Sequence, residues 1–276
     1  MEHSIVTVDG QRVAYLDSSP AQAPAGAPPV VLVHGNSSST RTWLPLLRSG
    51  LGSSFRCLAL DLPGHGGSEP VRDEAGYSLP RYAALLTGFA RELDVSGAVF
   101  VGWSLGGQIV LEAAPGLPDA RGFAVFGTAP IGTPADMAEA FLPNPAMGAL
   151  FSDEVSEDEA RVVAASFTAP GSPLDLSEFV EDILATDGAA RTGLAASAGA
   201  GQFADEFAIL SALRLPLAVL HGAEEQLINF DYLRGLDFPA LWRNAVQVVP
   251  GAGHAPHQEA PARFAALLTE FILDVG

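Results

Sequence analysis

Short segments that are almost entirely apolar recur along the chain, each bounded by turn residues. They are VVLVHG (30–35), FRCLALD (55–61), AVFVGWS (98–104), GFAVFG (122–127), LPLAVLHG (215–222) and AVQVVPG (245–251). A strand without a polar face is buried on both faces, as in a parallel sheet that helices cover on both sides. Helical patterns lie between or after these segments at 40–52, 79–94, 105–114 and in PARFAALLTEFIL. The alternation predicts an α/β fold with a mostly parallel, doubly wound sheet.

The chain opens with a different pattern, in which apolar and polar residues alternate. SIVTV and QRVAYLD flank the pair Asp9-Gly10. They predict a β-hairpin, because Asp-Gly readily adopts the positive φ angles of a tight turn. SSPAQAPAGAPP, residues 18–29, then predicts a loop rich in proline and small residues.

The alternation of strands and helices stops between residues 130 and 212. This segment has no strong strand pattern and predicts acidic amphipathic helices joined by Pro/Gly loops. The simplest arrangement is one α/β core domain, residues 1–129 and 213–276, with a helical cap inserted at 130–212.

The net charge of the chain is −18, and all 14 of its basic residues are arginine. Without lysine, Schiff-base and Ser-Lys mechanisms are excluded, since both need an amine that can lose its proton. Nucleic acid is not expected as a partner, because so few cations are available to neutralise phosphates. Residues 130–212 hold 14 acidic residues against Arg161 and Arg191, so −12 of the charge lies there. This excess predicts either a solvated helical surface or a field that disfavours anionic substrates.

No apolar run approaches the length of a membrane span, so no membrane partner is expected. The first residues, MEHSIVTVDGQRV, lack the basic and apolar regions of a secretory signal, and a cytoplasmic location is expected. Cys57 is the single cysteine and is expected to be a buried small hydrophobe within its strand.

GWSLGG, residues 102–107, lies where a predicted strand meets a predicted helix and fits the pattern G-x-S-x-G. A serine on such a sharp turn has a strained backbone, and its neighbours two positions away must lack Cβ atoms to avoid clashes. The turn exposes the serine Oγ and directs the helix N-terminus at developing negative charge. Ser104 is therefore a candidate nucleophile, the alternative being an idle serine in a glycine-rich turn.

HGNSSS, residues 34–39, closes the first apolar strand and predicts part of an oxyanion hole. An attacking serine needs two backbone N–H donors, one from the residue after it and one from the loop after this strand. Leu105 and Asn36 are those residues. Asn36 could also be a turn residue whose side chain caps the following segment, and the two roles are compatible. His34 is interpreted as structural, with a ring that holds the loop by hydrogen bonds.

GAGHAPHQEAP, residues 251–261, follows the last predicted strand and contains two histidines. A general base must reach the serine from a loop at the carboxyl end of the sheet, and His254 is placed to do so. His257 is interpreted as a surface or capping residue, and His3, His65 and His221 lack a comparable position. There is no H-E-x-x-H motif and no cysteine ligand set, so no metal or other cofactor is expected.

A catalytic triad on this architecture runs in the order serine, acid, histidine, so its acid must follow a strand before His254. The strand ending in LAVLH is followed by Glu224, Glu225 and, further on, Asp231, whereas FGTAP after the preceding strand offers no acid. This placement selects the strand and leaves Glu224 and Glu225 as alternatives.

The motifs HGN, DLPGHGGS (61–68), GWSLGG and AGHAP stand in the order typical of the α/β-hydrolase superfamily, which the whole chain resembles. In many members the acid is the third residue after the glycine that ends its strand. Counted from Gly222, the resemblance implies Glu225 as the acid. Most members have aspartate there, so the glutamate is a departure.

HGNSSS, DLPGHG, FVGWSLGG, TDGAAR (186–191), the pair Leu241-Trp242 and AGHAPHQEAP resemble a narrower group, the metal-independent N-acyl homoserine lactonases of this fold. That group also uses glutamate as its acid. Its cap carries a tyrosine thought to meet the acyl amide, whereas residues 130–212 contain no tyrosine.

The resemblance implies a serine hydrolase that opens N-acyl homoserine lactones through an acyl-enzyme. Ser104 would attack, His254 would transfer the proton, Glu225 would orient His254, and Asn36 and Leu105 would bind the oxyanion. The expected partner is a small neutral ester or lactone. The alternatives are a general carboxylesterase or carbon–carbon bond hydrolase of the same fold, and a ligand-sensing protein without turnover.

Overall fold

The computed structural model describes residues 2–20, 26–73 and 76–276 and contains one eight-stranded sheet with the strand order β1-β2-β4-β3-β5-β6-β7-β8. The strands are β1 (Glu2–Val8), β2 (Gln11–Asp17), β3 (Val30–Val33), β4 (Cys57–Leu60), β5 (Val99–Trp103), β6 (Gly122–Phe126), β7 (Leu217–Gly222) and β8 (Gln247–Val249). Strands β3 to β8 run parallel, and β2 joins β4 antiparallel. All six predicted apolar strands are present, and the predicted α/β-hydrolase fold class is confirmed.

The predicted hairpin at the start of the chain is also confirmed. Strands β1 and β2 pair antiparallel, with Val8 opposite Gln11. The two turn residues between them, Asp9 and Gly10, have φ angles of 47° and 86°. These positive φ angles match the twist of the flanking strands. Residues 21–25 of the predicted loop at 18–29 lie outside the described residues.

Each central strand is buried on both faces because its side chains alternate between two hydrophobic clusters. Val31 and Val33 of β3 belong to one cluster, whereas Val30 and Leu32 belong to the other. The first cluster includes the helices Leu79–Glu92 and Leu105–Ala113, and the second includes the final helix, Pro261–Val275. Successive side chains of a strand point to opposite faces, so only a continuous apolar run can supply both clusters. Cys57 is buried in the second cluster, as predicted.

The long helices correspond to the predicted helical patterns. They are Leu79–Glu92, Leu105–Ala113, Glu157–Ser166, Ser177–Ala185, Gly188–Gly199, Glu206–Ala212 and Pro261–Val275. Short α-helical segments are Leu44–Leu46, Gly52–Ser54, Met137–Ala140, Ala146–Ala149, Phe230–Gly235 and Pro256–Glu259. Single turns of 3₁₀-helix are Thr40–Trp43, Ala114–Gly116, Pro134–Asp136 and Trp242–Asn244. Within the described ranges, no helix has the length and apolar character needed to cross a membrane.

The helix predicted at 40–52 is the least regular of these elements. It consists of a 3₁₀ turn, two three-residue α-helical pieces and a π-helical stretch, Leu47–Leu51. Gly50 has a φ of 115°, which lies outside helical geometry. A glycine with positive φ interrupts the hydrogen-bond ladder, so the apolar pattern is kept while the helix is broken.

The chain between β6 and β7 contains helices and no named strand within the described residues. The two ends of this segment are hydrogen-bonded to each other. The N–H of Glu206 donates to the carbonyl of Ile131 at 3.1 Å, and the N–H of Ile131 donates to Oε2 of Glu206 at 2.7 Å. Nearby, the N–H of Ala204 donates to Oε1 of Glu112 at 2.9 Å. The bond between Ala204 and Glu112 connects the second end of the segment to the helix Leu105–Ala113.

Glu206 is fully buried, and its Oε1 has no hydrogen-bond partner among the described residues. Burial raises the pKa of Glu206 well above its ordinary value, and the neighbouring Glu112 raises it further. At pH values between the pKa of Glu206 in the unfolded chain and its raised pKa in the folded protein, the carboxyl group is protonated only in the folded state. The free energy of unfolding should therefore fall as the pH rises through this window up to the folded pKa.

We expect Glu206→Gln to remove this part of the pH dependence, because glutamine keeps the acceptor for Ile131 and carries no charge. The free energy of unfolding of the wild type relative to the variant should fall by up to about 1.4 kcal/mol per pH unit within that window. Urea unfolding at several pH values measures this difference. The exposed Glu154→Gln is the matched control, and equal pH slopes for Glu206→Gln and wild type would contradict the expectation.

Candidate active site

Ser104 occupies the turn between β5 and the helix Leu105–Ala113, with φ 55° and ψ −120°. This left-handed backbone is uncommon for a residue with a Cβ atom and costs about 1–3 kcal/mol. The surrounding structure holds it, since the N–H of Ser104 donates to the carbonyl of Phe126 on β6 at 2.9 Å. The serine is partly exposed, whereas its neighbours Trp103 and Leu105 are buried.

The two glycines of the predicted pattern are required by close backbone contacts. A Cβ atom on Gly102 would lie 2.2 Å from the carbonyl oxygen of Gly106. A Cβ atom on Gly106 would lie 2.2 Å from the carbonyl oxygen of Val33 on β3. Real Cβ atoms do not approach so closely, so the helix can cross the strands here only without side chains.

The loop after β3 brings Asn36 beside Ser104, and both residues line one cavity together with Leu105. The backbone N–H groups of Asn36 and Leu105 donate to no acceptor among the described residues. The Asn36 side chain is engaged instead, because its Nδ2 donates to the carbonyl of Leu150 at 2.7 Å and its Oδ1 accepts from Ser37 Oγ. The side chain thus anchors the loop to the segment between β6 and β7, and the backbone N–H stays available.

Two buried histidines brace this loop. His34 Nδ1 donates to the carbonyl of Gly35 at 2.7 Å, and its Nε2 accepts from the N–H of Leu62 at 2.9 Å. His65 Nε2 accepts from the N–H of Ser37 at 3.2 Å. Burial lowers the pKa of His34 to about 4 and that of His65 to about 3, so both rings are neutral and their Nε2 atoms can accept. The structural interpretation of His34 is confirmed.

His254 is paired with Glu225. Its Nδ1 lies 2.9 Å from Oε2 and 3.0 Å from Oε1 of the carboxylate, and the two side chains are only 1% and 2% exposed. Burial acts to raise the pKa of Glu225, but His254 and the N–H of Leu227 lower it overall. His254 Nε2 has no hydrogen-bond partner among the described residues. The carboxylate therefore orients the ring through Nδ1 and leaves Nε2 free to accept a proton.

Glu224 and Glu225, which the strand placement left as alternatives, have different surroundings in the structure. Glu224 is exposed, and only its backbone is engaged, through an N–H bond to the carbonyl of Ala252. Glu225 turns inward, with its N–H bonded to the carbonyl of Gly222 and its carboxylate against His254.

Further contacts, which were not predicted from the sequence, position the His254 loop. The indole N–H of Trp103 donates to the carbonyl of His254 at 2.8 Å. The carboxylate of Glu259 accepts from the N–H of Gly253 at 2.6 Å and from that of Ala169 at 2.9 Å. Glu259 lies in the motif GAGHAPHQEAP, five residues after His254. The presence of an acid so close to the histidine was the sequence signal that could have predicted these contacts.

The interpretation of His257 as a surface or capping residue is wrong. The ring is fully buried, and its Nε2 lies 2.7 Å from Thr42 Oγ1. It packs against Trp43, Trp103 and Phe126. The short helix Pro256–Glu259 directs His257 against the ends of the central strands β5 and β6, beside the second hydrophobic cluster, where burial lowers its pKa well below the ordinary value.

Ser104 and His254 line a cavity of about 340 Å³ that is mostly apolar. Its polar lining residues are Asn36, Ser104, Gln108, Thr128 and His254. The apolar ones are Leu79, Leu105, Ala129, Ile131, Met137, Ala138, Phe141, Met147, Leu150, Phe151, Leu194, Ala198, Leu227 and Ile228. No acidic or basic side chain other than the histidine is part of this wall, so the cavity suits a neutral, largely apolar ligand. Across the described ranges, no cluster of His, Cys, Asp and Glu has the arrangement of a metal site.

The chain is similar in sequence and structure to known hydrolases. Residues 30–267 match the model of the alpha/beta hydrolase family. The structure of the N-acyl homoserine lactonase AidH complexed with N-butanoyl homoserine is 33% identical in sequence, with a TM-score of 0.92, and the match covers 100% of this chain and 97% of that one. The esterase RhEst1 from Rhodococcus sp. ECU1013 shares the fold, with a TM-score of 0.79 over the full length of both chains at 23% identity.

Among curated proteins, the biotin biosynthesis bifunctional protein BioHC of Teredinibacter turnerae is 25% identical over 88% of this chain and 44% of its own length. The bifunctional esterase/perhydrolase DCH of Acinetobacter calcoaceticus is 26% identical over 93% of this chain and 94% of its own length. The chain spans less than half the length of the first curated relatives that it matches.

The close backbone contact at Gly106 predicts the effect of adding a methyl group there. Gly106→Ala should lower the free energy of unfolding by about 1–3 kcal/mol, because the helix must move away from Val33. Gly199→Ala is the control, since a Cβ atom at that exposed helical position meets nothing within 4 Å. It should be neutral or stabilising by up to about 1 kcal/mol. Chemical denaturation compares the two variants, and equal stabilities would contradict the steric account.

Proposed function

Since the chain belongs to the alpha/beta hydrolase family, we propose that it is a serine-dependent ester hydrolase that opens the ring of N-acyl homoserine lactones. The observation that carries the proposal is the buried His254–Glu225 pair beside Ser104 in an uncharged, apolar cavity. Such a pair can activate a serine at neutral pH without a cofactor.

In the first half of the proposed reaction, Ser104 Oγ attacks the lactone carbonyl carbon while His254 Nε2 takes the hydroxyl proton. The imidazolium that forms is stabilised by the Glu225 carboxylate at Nδ1. The oxyanion of the tetrahedral intermediate accepts from the free N–H groups of Asn36 and Leu105. The intermediate collapses as the ring C–O bond breaks, and His254 returns the proton to the departing alkoxide. The product is an ester of Ser104 that carries a free hydroxyl group.

In the second half, water attacks the ester carbonyl of the acyl-enzyme. His254 removes a proton from the water and then gives it to Ser104 Oγ as the acyl bond breaks. The released N-acyl homoserine bears a carboxylate, whereas the substrate was neutral. A cavity without cationic side chains holds such an anion weakly, which favours product release.

The substrate assignment rests on two observations. The structure of AidH, which is named as an N-acyl homoserine lactonase, matches over essentially the whole chain. Most of the side chains that line the cavity are apolar, as the binding of an acyl chain requires, and a few polar groups line it together with Ser104.

A general carboxylesterase is the second candidate. It is favoured by the similarity to the esterase/perhydrolase DCH and by the small number of polar groups in the cavity. A simple apolar ester would fit that wall without needing any specific hydrogen bond beyond the oxyanion hole.

Release of acid from N-hexanoyl and N-decanoyl homoserine lactone, titrated in excess chelator, tests the lactonase proposal. The wild type should turn over at least one of them, and Ser104→Ala should reduce the rate by about four orders of magnitude or more. Hydrolysis of p-nitrophenyl butyrate without lactone turnover would select the carboxylesterase instead. Absence of turnover of any ester would overturn the enzyme proposal.

The adjacent glutamates provide a matched pair for testing the acid. Glu225→Gln should lower kcat by about 10⁴-fold, because an amide presents the wrong partner to the His254 ring. Glu224→Gln should change kcat by less than about twofold, since its side chain is exposed and contacts none of the reacting groups. Steady-state kinetics with the best ester or lactone measures both, and a reversed order of effects would assign the acid to Glu224.

A further inference from the structure

The helix that follows Ser104 is buried along most of its length, but the polar residue Gln108, one turn after the serine, is partly exposed. Within Leu105–Ala113, only Gln108 and Glu112 are partly exposed. Gln108 lines the same cavity as Ser104, whereas Glu112 lies at a separate groove. The N–H of Gln108 donates to the carbonyl of Ser104, so Gln108 lies one helical turn after the serine.

Apart from Ser104 and His254, Gln108 is the polar residue of the described cavity wall whose side chain is uncommitted. Thr128 Oγ1 donates to the carbonyl of Ser104 at 2.8 Å, and the Asn36 amide is held by Leu150 and Ser37. The side-chain amide of Gln108 makes no hydrogen bond to a described residue. When a ligand displaces water from an unpaired amide in an apolar wall, the amide loses its hydrogen bonds to that water. Such an amide therefore favours a ligand that can form hydrogen bonds in their place.

The position of Gln108 suits one part of the proposed substrate. Gln108 and Ser104 line the same cavity, and Gln108 lies one helical turn after the serine. In an N-acyl homoserine lactone, the amide nitrogen lies about 2.5 Å from the ring carbonyl carbon, as in a peptide unit. When that carbon meets Ser104, the acyl amide lies within reach of a glutamine one turn along the helix. A glutamine amide offers both a donor and an acceptor, which complement the C=O and N–H of a secondary amide.

We propose that Gln108 is the specificity-determining residue that binds the acyl amide of the substrate. Its Nε2 donates to the amide carbonyl, or its Oε1 accepts from the amide N–H, while Ser104 attacks the ring. The inference rests on the proposed lactonase function and deepens it. It also accounts for amide recognition in a chain whose segment 130–212 has no tyrosine.

The test compares two substrates that differ only in the amide. N-hexanoyl homoserine lactone carries it, and an α-alkyl-γ-butyrolactone of equal chain length replaces it with methylenes. Gln108→Leu removes the amide at nearly constant volume. The ratio of kcat/KM for the two lactones should fall about tenfold to a hundredfold in this variant, since a buried hydrogen bond to the substrate is lost. Gln202→Leu, at an exposed position that is not part of the cavity wall, is the matched control and should keep the wild-type ratio.

Equal loss of kcat/KM on both lactones would assign Gln108 a merely structural role, and no change in kcat/KM for either lactone would place amide recognition elsewhere. Either result overturns the proposal. Gln108→Glu adds a readout that packing would not move. If Nε2 of the glutamine donates to the amide carbonyl, the new carboxyl group should keep part of the preference only at low pH, where it is protonated and can donate. If Oε1 accepts from the amide N–H, the ionised carboxylate should keep the preference at high pH instead. A ratio that does not change with pH would contradict both arrangements.

Binding to a protein that cannot turn over separates this proposal from the lactonase assignment. Calorimetric titration of Ser104→Ala with N-hexanoyl homoserine lactone should give a Kd that weakens about tenfold or more when Gln108→Leu is added. If the wild type fails to open the lactone but this difference persists, the function is wrong and the amide site stands. No binding by Ser104→Ala, or an equal Kd in both backgrounds, would overturn the amide site.

Discussion

The crossing of the helix Leu105–Ala113 over β3 and β5 is the contact on which the rest of the site depends. It is so close that Cβ atoms on Gly102 and Gly106 would overlap backbone oxygens. The same crossing forces Ser104 into a left-handed backbone and brings it against the loop after β3. Because β3 lies between β4 and β5, this is also where the strand order reverses, and such points leave a crevice at the carboxyl ends of the strands.

The electrostatic organisation of the site depends on which histidine has a carboxylate partner. His34, His65, His221, His254 and His257 are all buried. Burial lowers the pKa of the other four, which serve as neutral hydrogen-bonding or packing groups. Among the described residues, only His254 is bonded to an acid, through Glu225. A ring held in this way can become positively charged during a reaction without losing its position.

Much of this arrangement was predictable because it follows from local patterns. Burial on both faces requires continuous apolar runs, so the parallel strands stand out in the sequence, and Asp9-Gly10 specifies its own turn. The pattern at 40–52 failed to reveal the break at Gly50, because apolar periodicity survives a broken helix. The prediction for His257 failed for a related reason, since a short helix at the carboxyl end of the sheet can direct a side chain either to the surface or into the core.

The sequence by itself determined the succession of strands and helices along the core, the glycines around Ser104 and the strand whose end carries the acid. These features are encoded by spacing along the chain, which local sterics and hydrophobic burial convert directly into structure. Only the tertiary structure decided that Glu225 rather than Glu224 turns towards His254, that Glu259 secures the His254 loop, and that Gln108 faces the cavity without a partner. Adjacent or similarly spaced polar residues have the same local propensities, so their roles depend on contacts with segments distant in the chain.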